Sequence, residues 1–191
     1  MEEAWMKKYG LITIGGSAGS LDVLLRALPL LQKNLPAPIV IILHRKSSYD
    51  STLTDLFAAR TTLAVKEAGE KEIIQPNTIY IAPADYHLLI ENDHTFSLDY
   101  SEKINYSRPS IDVTFESAAE VYGIALVCIL LSGANSDGVA GMKATKNRGG
   151  ITVAQNPDTA EVPYMPQQAI LNVPVDFIVN GDNLAVFINN L

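Results

Sequence analysis

The stretch Leu11-Ile12-Thr13-Ile14-Gly15-Gly16-Ser17-Ala18-Gly19-Ser20 limits the folds open to this chain more than any other. Residues 11–14 are apolar or β-branched, as a strand buried on both faces requires, and a helical apolar pattern begins at Leu21. Between them residues 15–19 read Gly-x-Ser-x-Gly, so the chain has to turn sharply from strand into helix. Glycines on both sides allow that turn to stand a serine hydroxyl at the carboxyl end of a sheet, close to backbone N–H groups and a helix N-terminus. That is one way to display a nucleophile. The same turn also suits Ser17 or Ser20 as a helix cap, or a Gly-rich loop that receives an anion.

The remaining chain repeats the alternation. Leu21, Leu24, Leu25, Leu28 and Leu31 form a helical face that ends near Asn34, because Pro36 and Pro38 follow. Residues 39–43 are a second fully apolar strand with His44 at its end. A polar segment, 45–50, leads to a helix around 52–59; residues 63–65 fit a short strand and 78–82 another. Residues 87–90 and 95–98 bracket Glu91-Asn92-Asp93-His94 as an antiparallel hairpin, which would make the sheet mixed. Asp112 opens or caps a helix that runs to about Tyr122 and is ended by Gly123. Residues 124–131 are a central strand, with 132–138 at its carboxyl end and a helix running on to about Asn147. A strand at 151–154, loops at 155–158 and 162–166, a helix at 167–171, a strand at 176–179 and a helix after Gly181 complete the chain. The expected fold is one α/β domain over residues 1–191: a doubly wound, mostly parallel sheet with an antiparallel hairpin, in three α/β/α layers.

Composition sets some functions aside. The 191 residues are 48% hydrophobic, enough for a substantial core. Fourteen basic against 21 acidic residues give a net charge of -7, so a broad phosphate-binding surface, and with it nucleic acid, is not expected. The single cysteine, Cys128, lies inside an apolar run, where it reads as a small buried residue in a reducing compartment. Met-Glu-Glu-Ala-Trp-Met-Lys-Lys lacks the order of a signal peptide, and no apolar run reaches about 18 residues, so a cytoplasmic location is the expectation.

Ligands of doubly wound sheets bind beyond the carboxyl ends of the strands, and three such ends carry Ser17, His44 and Asp137. A neutral serine hydroxyl is a poor nucleophile; His44 would take its proton, and a buried Asp137 would fix the imidazole tautomer and stabilise the imidazolium. Each residue has a plainer account, His44 as a polar end to a buried strand and Asp137 as a helix cap. The three form a set only if their strands are neighbours, which spacing permits without deciding. Metal ligation by His44, His87 and His94 is the weaker reading, because the last two fall on the hairpin, where surface placement would account for them.

Over nearly its whole length the chain also resembles the catalytic domain of the chemotaxis receptor methylesterases, the CheB-type protein-glutamate methylesterases. Residues 14–20 resemble that family's nucleophile turn, Ile42-Leu43-His44 the segment with its histidine, and Leu131-Ser132-Gly133-Ala134-Asn135-Ser136-Asp137-Gly138 the stretch with its aspartate. Tyr80-Ile81-Ala82-Pro83-Ala84-Asp85-Tyr86-His87, Ser107-Arg108-Pro109-Ser110-Ile111-Asp112, Gly149-Gly150-Ile151-Thr152-Val153-Ala154-Gln155 and Met165-Pro166-Gln167-Gln168-Ala169 match further segments in the same order. The resemblance implies a serine hydrolase that uses Ser17, His44 and Asp137 on receptor glutamyl methyl esters, with a secondary ability to deamidate receptor glutamines and with no cofactor. It implies methylated chemoreceptor cytoplasmic helices as partners, together with a receiver domain or a sensory kinase module. The receiver domain that normally precedes such a domain is not in the sequence. The loops at 105–110 and 155–165 are expected to meet the substrate helix, with Arg108 either touching substrate or serving as a structural ion-pair partner. Two departures stand out: Ser20 where the family usually has a third glycine, and Ala134 and Asn135 where it usually has methionine and glycine. Ser20 suits the start of a helix, whereas Ala134 and Asn135 keep open a competing reading, a catalytically weakened protein-binding or signalling module on the same fold.

Overall fold

Strands β1 (Leu11–Gly16), β2 (Ile39–Leu43), β3 (Ala64–Glu67), β4 (Thr78–Ile81), β5 (His87–Ile90), β6 (Phe96–Asp99), β7 (Leu126–Leu130), β8 (Ile151–Gln155) and β9 (Phe177–Val179) carry the architecture. They are joined by helices α1 (Ser20–Ala27), α2 (Asp50–Ala58), α3 (Ile111–Tyr122), α4 (Val139–Asn147), α5 (Tyr164–Asn172) and α6 (Leu184–Asn189). The computed structural model describes residues 9–35, 37–45 and 50–191; the N-terminal octapeptide and most of the expected polar link after Arg45 lie outside the described residues.

Seven strands form one sheet in the order β3-β4-β2-β1-β7-β8-β9, and every pairing in it is parallel. The fully buried strands β1, β2 and β7 occupy its centre, where both faces need cover. Alternation then divides each strand between two cores. Ile12, Ile14, Ile39, Ile41, Val127 and Ile129 face α1, Phe57 of α2 and Leu184 and Ile188 of α6. Leu11, Val40, Ile42, Leu126, Cys128 and Leu130 face Phe115 of α3, Met142 of α4 and Ala169 of α5. Each large apolar side chain so buried contributes about 1.5–3 kcal/mol. The result is the expected three-layer α/β/α arrangement.

The hairpin is antiparallel as expected, but it forms a two-stranded sheet of its own instead of making the main sheet mixed. Side chains of α3 hold its backbone: the Thr114 hydroxyl donates to Leu88 O at 2.7 Å, and Ile90 N–H donates to Ser117 Oγ at 3.0 Å. Leu88, Ile90 and Phe96 thereby join the α3 core. Helix α5 starts three residues before the expected position, with Pro166 in its first turn, where the missing N–H leaves no helical bond unmade. No helix among the described residues is long and apolar enough to cross a membrane. Strand order switches sides between β1 and β7, because β2, β4 and β3 lie on one side of β1 and β8 and β9 lie beyond β7 on the other. That crevice is where such sheets place a ligand.

Candidate active site

Ser17 follows β1, His44 follows β2 and Asp137 follows β7, so the sheet order brings three separated positions to one end of adjacent strands. His44 N–H donates to Gly16 O at 3.1 Å, which ties the histidine to the residue before the serine. Its Nε2 stands 2.6 Å from Asp137 Oδ2. A carboxylate there selects the tautomer with the proton on Nε2 and leaves Nδ1 as the basic nitrogen. Ser17 is half-buried, and among the described residues its hydroxyl makes no hydrogen bond to His44. The structure thus joins two of the three expected side chains directly and sets the third beside them.

The turn around Ser17 is held by close packing. Gly19 has φ +83° and caps α1, a conformation that suits glycine, and a Cβ there would come within 2.6 Å of Glu161 Cβ. On the opposite side, a Cβ on Gly133 would lie 2.5 Å from Met165 Cε and 3.1 Å from Ser17 Cβ. Ser132 stitches the walls together. Its carbonyl accepts from Ser17 N–H at 2.9 Å and from the Ser20 hydroxyl at 2.7 Å, while its own hydroxyl donates to Ala18 O at 2.6 Å. Gly133 N–H donates to Val162 O at 3.0 Å, which zips the 155–165 loop to the site. The amides of Ser17 and Gly133 are therefore committed to carbonyls.

Asp137 is fully buried and does more than orient a histidine. It accepts Ile111 N–H at 2.7 Å, Asp112 N–H at 3.0 Å and the Ser110 hydroxyl at 3.0 Å, so its charge sits on the N-terminus of α3. Burial opposes its ionisation, but the His44 bond and the amides of Asp112 and Ile111 outweigh burial and hold the carboxyl below its ordinary range. Asp112 behaves oppositely. Burial raises it most, the Gly141 N–H bond at 2.7 Å works against that, and the charge of Asp137 adds to the rise, so the carboxyl is pushed up to about 7. Asn105 bridges the pair, its Nδ2 lying 3.1 Å from Asp112 Oδ2 and 3.4 Å from Asp137 Oδ1.

Sequence reasoning missed Asn105 and Ser110 as partners of Asp137, Ser132 as the link between the walls of the turn, and the burial of His87. Surface placement for His87 is incorrect: the ring is fully buried, accepting Ser110 N–H at Nδ1 (3.1 Å) and facing Glu102 O from Nε2 (2.9 Å). The α3 N-terminus needs an acceptor there, and a hairpin packed on α3 supplies it from inside. His94 is exposed at the hairpin turn with its ring against Tyr122. Among the described residues no group of His, Cys, Asp or Glu is arranged to hold a metal ion. Arg108 is engaged by its own fold: it donates to Ser101 O at 2.8 Å and lies 3.9 Å from the centre of the Tyr100 ring.

Comparison with known proteins decides the family. The family model described as CheB methylesterase matches residues 12–188. This chain belongs to the CheB methylesterase family. A Leptospira interrogans protein, provisionally named a protein-glutamate methylesterase/protein-glutamine glutaminase, is 44% identical over 177 residues, which cover 93% of this chain and 92% of that protein. The protein-glutamate methylesterase/protein-glutamine glutaminase of Thermotoga maritima is 35% identical over 88% of this chain and 50% of its own length. The crystal structure of the Thermotoga maritima CheB methylesterase catalytic domain superposes with a TM-score of 0.91 at 33% identity, covering 95% of this chain and 97% of that one. The two departures from the CheB pattern acquire physical meaning here. Ser20 uses its hydroxyl to bind α1 to the loop after β7, and Asn135 Oδ1 accepts Asp137 N–H at 3.0 Å. Ala134 is exposed, so a longer side chain at that position would reach outward beside Gly133.

Proposed function

We propose that this CheB-family domain is a serine esterase that hydrolyses glutamyl methyl esters on chemoreceptor cytoplasmic helices, releasing methanol, and that deamidates receptor glutamines as a secondary reaction. The observation that carries the reading is the 2.6 Å contact between His44 Nε2 and buried Asp137 at the strand end adjoining Ser17. Ser17 Oγ attacks the ester carbonyl while His44 Nδ1 takes its proton, and Asp137 stabilises the imidazolium that forms. With the Ser17 and Gly133 amides already bonded, the tetrahedral oxyanion falls to amides left unbonded among the described residues, those of Ala18 and Gly19 at the positive end of α1 and that of Ala134 in the loop leading to Asp137. His44 then hands the proton to departing methoxide, and water activated by the same nitrogen cleaves the acyl-enzyme to free glutamate. A receiver domain or a sensory kinase module is the regulatory partner this reading calls for.

The test is methanol release from methylated receptor fragments by purified protein. Wild type releases methanol, Ser17→Ala abolishes release, and His44→Gln lowers it by orders of magnitude. No release from a confirmed methylated substrate would overturn the enzyme reading in favour of a binding module. Release that survives Ser17→Ala would overturn the choice of nucleophile.

A further inference from the structure

Residues 104–107 form a two-residue turn closed by reciprocal backbone bonds, Ile104 N–H to Ser107 O at 3.1 Å and Ser107 N–H to Ile104 O at 2.9 Å. Its central residues, Asn105 and Tyr106, both have positive φ, 51° and 63°. Asparagine suits that conformation and tyrosine does not. Tyr106 is nonetheless 98% exposed, so no packing against the protein accounts for an aromatic ring at a strained position.

The turn is anchored to the catalytic end of the sheet. Asn105 is bonded to Asp112 and to Asp137, the carboxylate that holds His44. His87 holds Glu102 O, and Arg108 holds Ser101 O, so the chain on both sides is fastened and Tyr106 projects from a fixed base. The tip is a ridge between two grooves. One, of about 660 Å³, reaches His44 and is lined also by Asp85, Lys103, Tyr106 and Arg108; the other, of about 580 Å³, lies against Lys103, Asn105 and Tyr106.

Charge says what the ridge meets. Arg45, Lys103 and Arg108 line the first groove against the single carboxylate of Asp85, on a protein whose net charge is -7. Arg108 is occupied by Ser101 and Tyr100, and Arg45 by Glu67 and Ala82 O. Lys103 makes no ion pair among the described residues. A local cationic mouth on an acidic protein favours an anionic segment, and an exposed aromatic beside an unpaired cation is the chemistry of a binding hot spot.

We infer that the Lys103–Tyr106 tip is a docking ridge for acidic side chains that flank the ester-bearing residue of the polypeptide substrate. Lys103 pairs with a flanking carboxylate and the Tyr106 ring covers the neighbouring turn of the substrate. This rests on the esterase reading and sets its specificity: an ester in an acidic segment is preferred to the same ester in a neutral one.

The experiment compares two methyl-esterified peptides of one receptor sequence, one with glutamates flanking the ester and one with glutamines in their place. Wild type has the lower KM for the acidic peptide, and Lys103→Gln narrows that KM ratio about 1.4- to fivefold, the range for one exposed ion pair. Lys33→Gln, just before the opposite end of β2, removes the same charge and keeps the wild-type ratio. Tyr106→Gly raises KM for both peptides while raising the urea midpoint, since glycine relieves the turn; a merely structural tyrosine would not give that combination. An unchanged ratio in Lys103→Gln, or an unchanged KM in Tyr106→Gly, overturns the ridge. If neither ester is cleaved, the esterase reading fails separately, and fluorescence anisotropy of the labelled acidic peptide decides docking: weaker binding by Lys103→Gln than by Lys33→Gln supports it, and equal binding overturns it.

Discussion

Replacing Asp112 with asparagine should remove a loss of stability that wild type suffers as pH rises. The carboxyl is buried against Asp137, accepts the Gly141 amide at 2.7 Å, and is pushed up to about 7, chiefly by burial and then, against the Gly141 bond, by the charges of Asp137 and Glu116. In the unfolded chain it ionises near its ordinary value of about 3.9. The folded state therefore keeps a proton that the unfolded state gives up between about pH 4 and pH 7, so stability falls as pH rises through that window. At about 1.4 kcal/mol per pH unit over about three units, the loss is of order 4 kcal/mol, complete above the folded value and absent below the unfolded one. Asparagine is neutral throughout; its amide oxygen can accept from Gly141, while its NH2 replaces the acceptor of the Asn105 amide, a cost that does not vary with pH and leaves the slope as the readout. Urea unfolding of both proteins at pH 4.5, 6 and 8 is the assay, and the difference cancels every other titrating group that the substitution leaves alone. Relative to wild type, Asp112→Asn should gain about 2–4 kcal/mol between pH 4.5 and pH 8. Parallel stability profiles would show that Asp112 ionises normally and would refute the upward push that burial and the charge of Asp137 give it.

Asp137→Asn should lower kcat for methyl-ester hydrolysis roughly 10⁴-fold, as loss of the tautomer-fixing carboxylate does in such triads, and stopped-time methanol assays would measure it. Asp137 also contributes in the opposite pH sense to Asp112: its lowered carboxyl stabilises above about pH 4, and that contribution is lost as pH falls through the folded value, an acid-side loss the asparagine variant should lack in urea titrations. Cys128 Sγ lies 3.0 Å from both Thr13 Oγ1 and Thr145 Oγ1, so Cys128→Ser finds partners and should cost only about 1 kcal/mol by urea unfolding, not the larger penalty of an unpaired buried hydroxyl. The native thiol, pushed up to about 12 by burial, should resist a thiol reagent at pH 8 until the protein unfolds, and equal labelling of native and unfolded protein would contradict its position.

The apolar runs at β1, β2 and β7, the Gly-x-Ser-x-Gly turn, and the placement of Ser17, His44 and Asp137 at strand ends were all legible in the sequence, because backbone preference and burial period act over a few neighbouring residues. Several colinear motifs made the family legible as well. Strand boundaries slipped where a local device intervened, as at Gly123–Ala125, whose 3₁₀ turn delays β7 to Leu126. What the tertiary structure alone decided is adjacency. His44 and Asp137 are 93 residues apart, and their contact depends on β1 lying between β2 and β7, an order no local pattern encodes. The same holds for the cradle around Asp137. Ser110 and the α3 amides reach it only because α3 packs with α4 on one face of the sheet, and Asn105 because the 104–107 turn folds back beside α3. His87 shows the reason most directly: on its own strand it is one polar residue of a hairpin, and burial with two hydrogen bonds is imposed by α3 and by Glu102, neighbours in space that its sequence context does not specify.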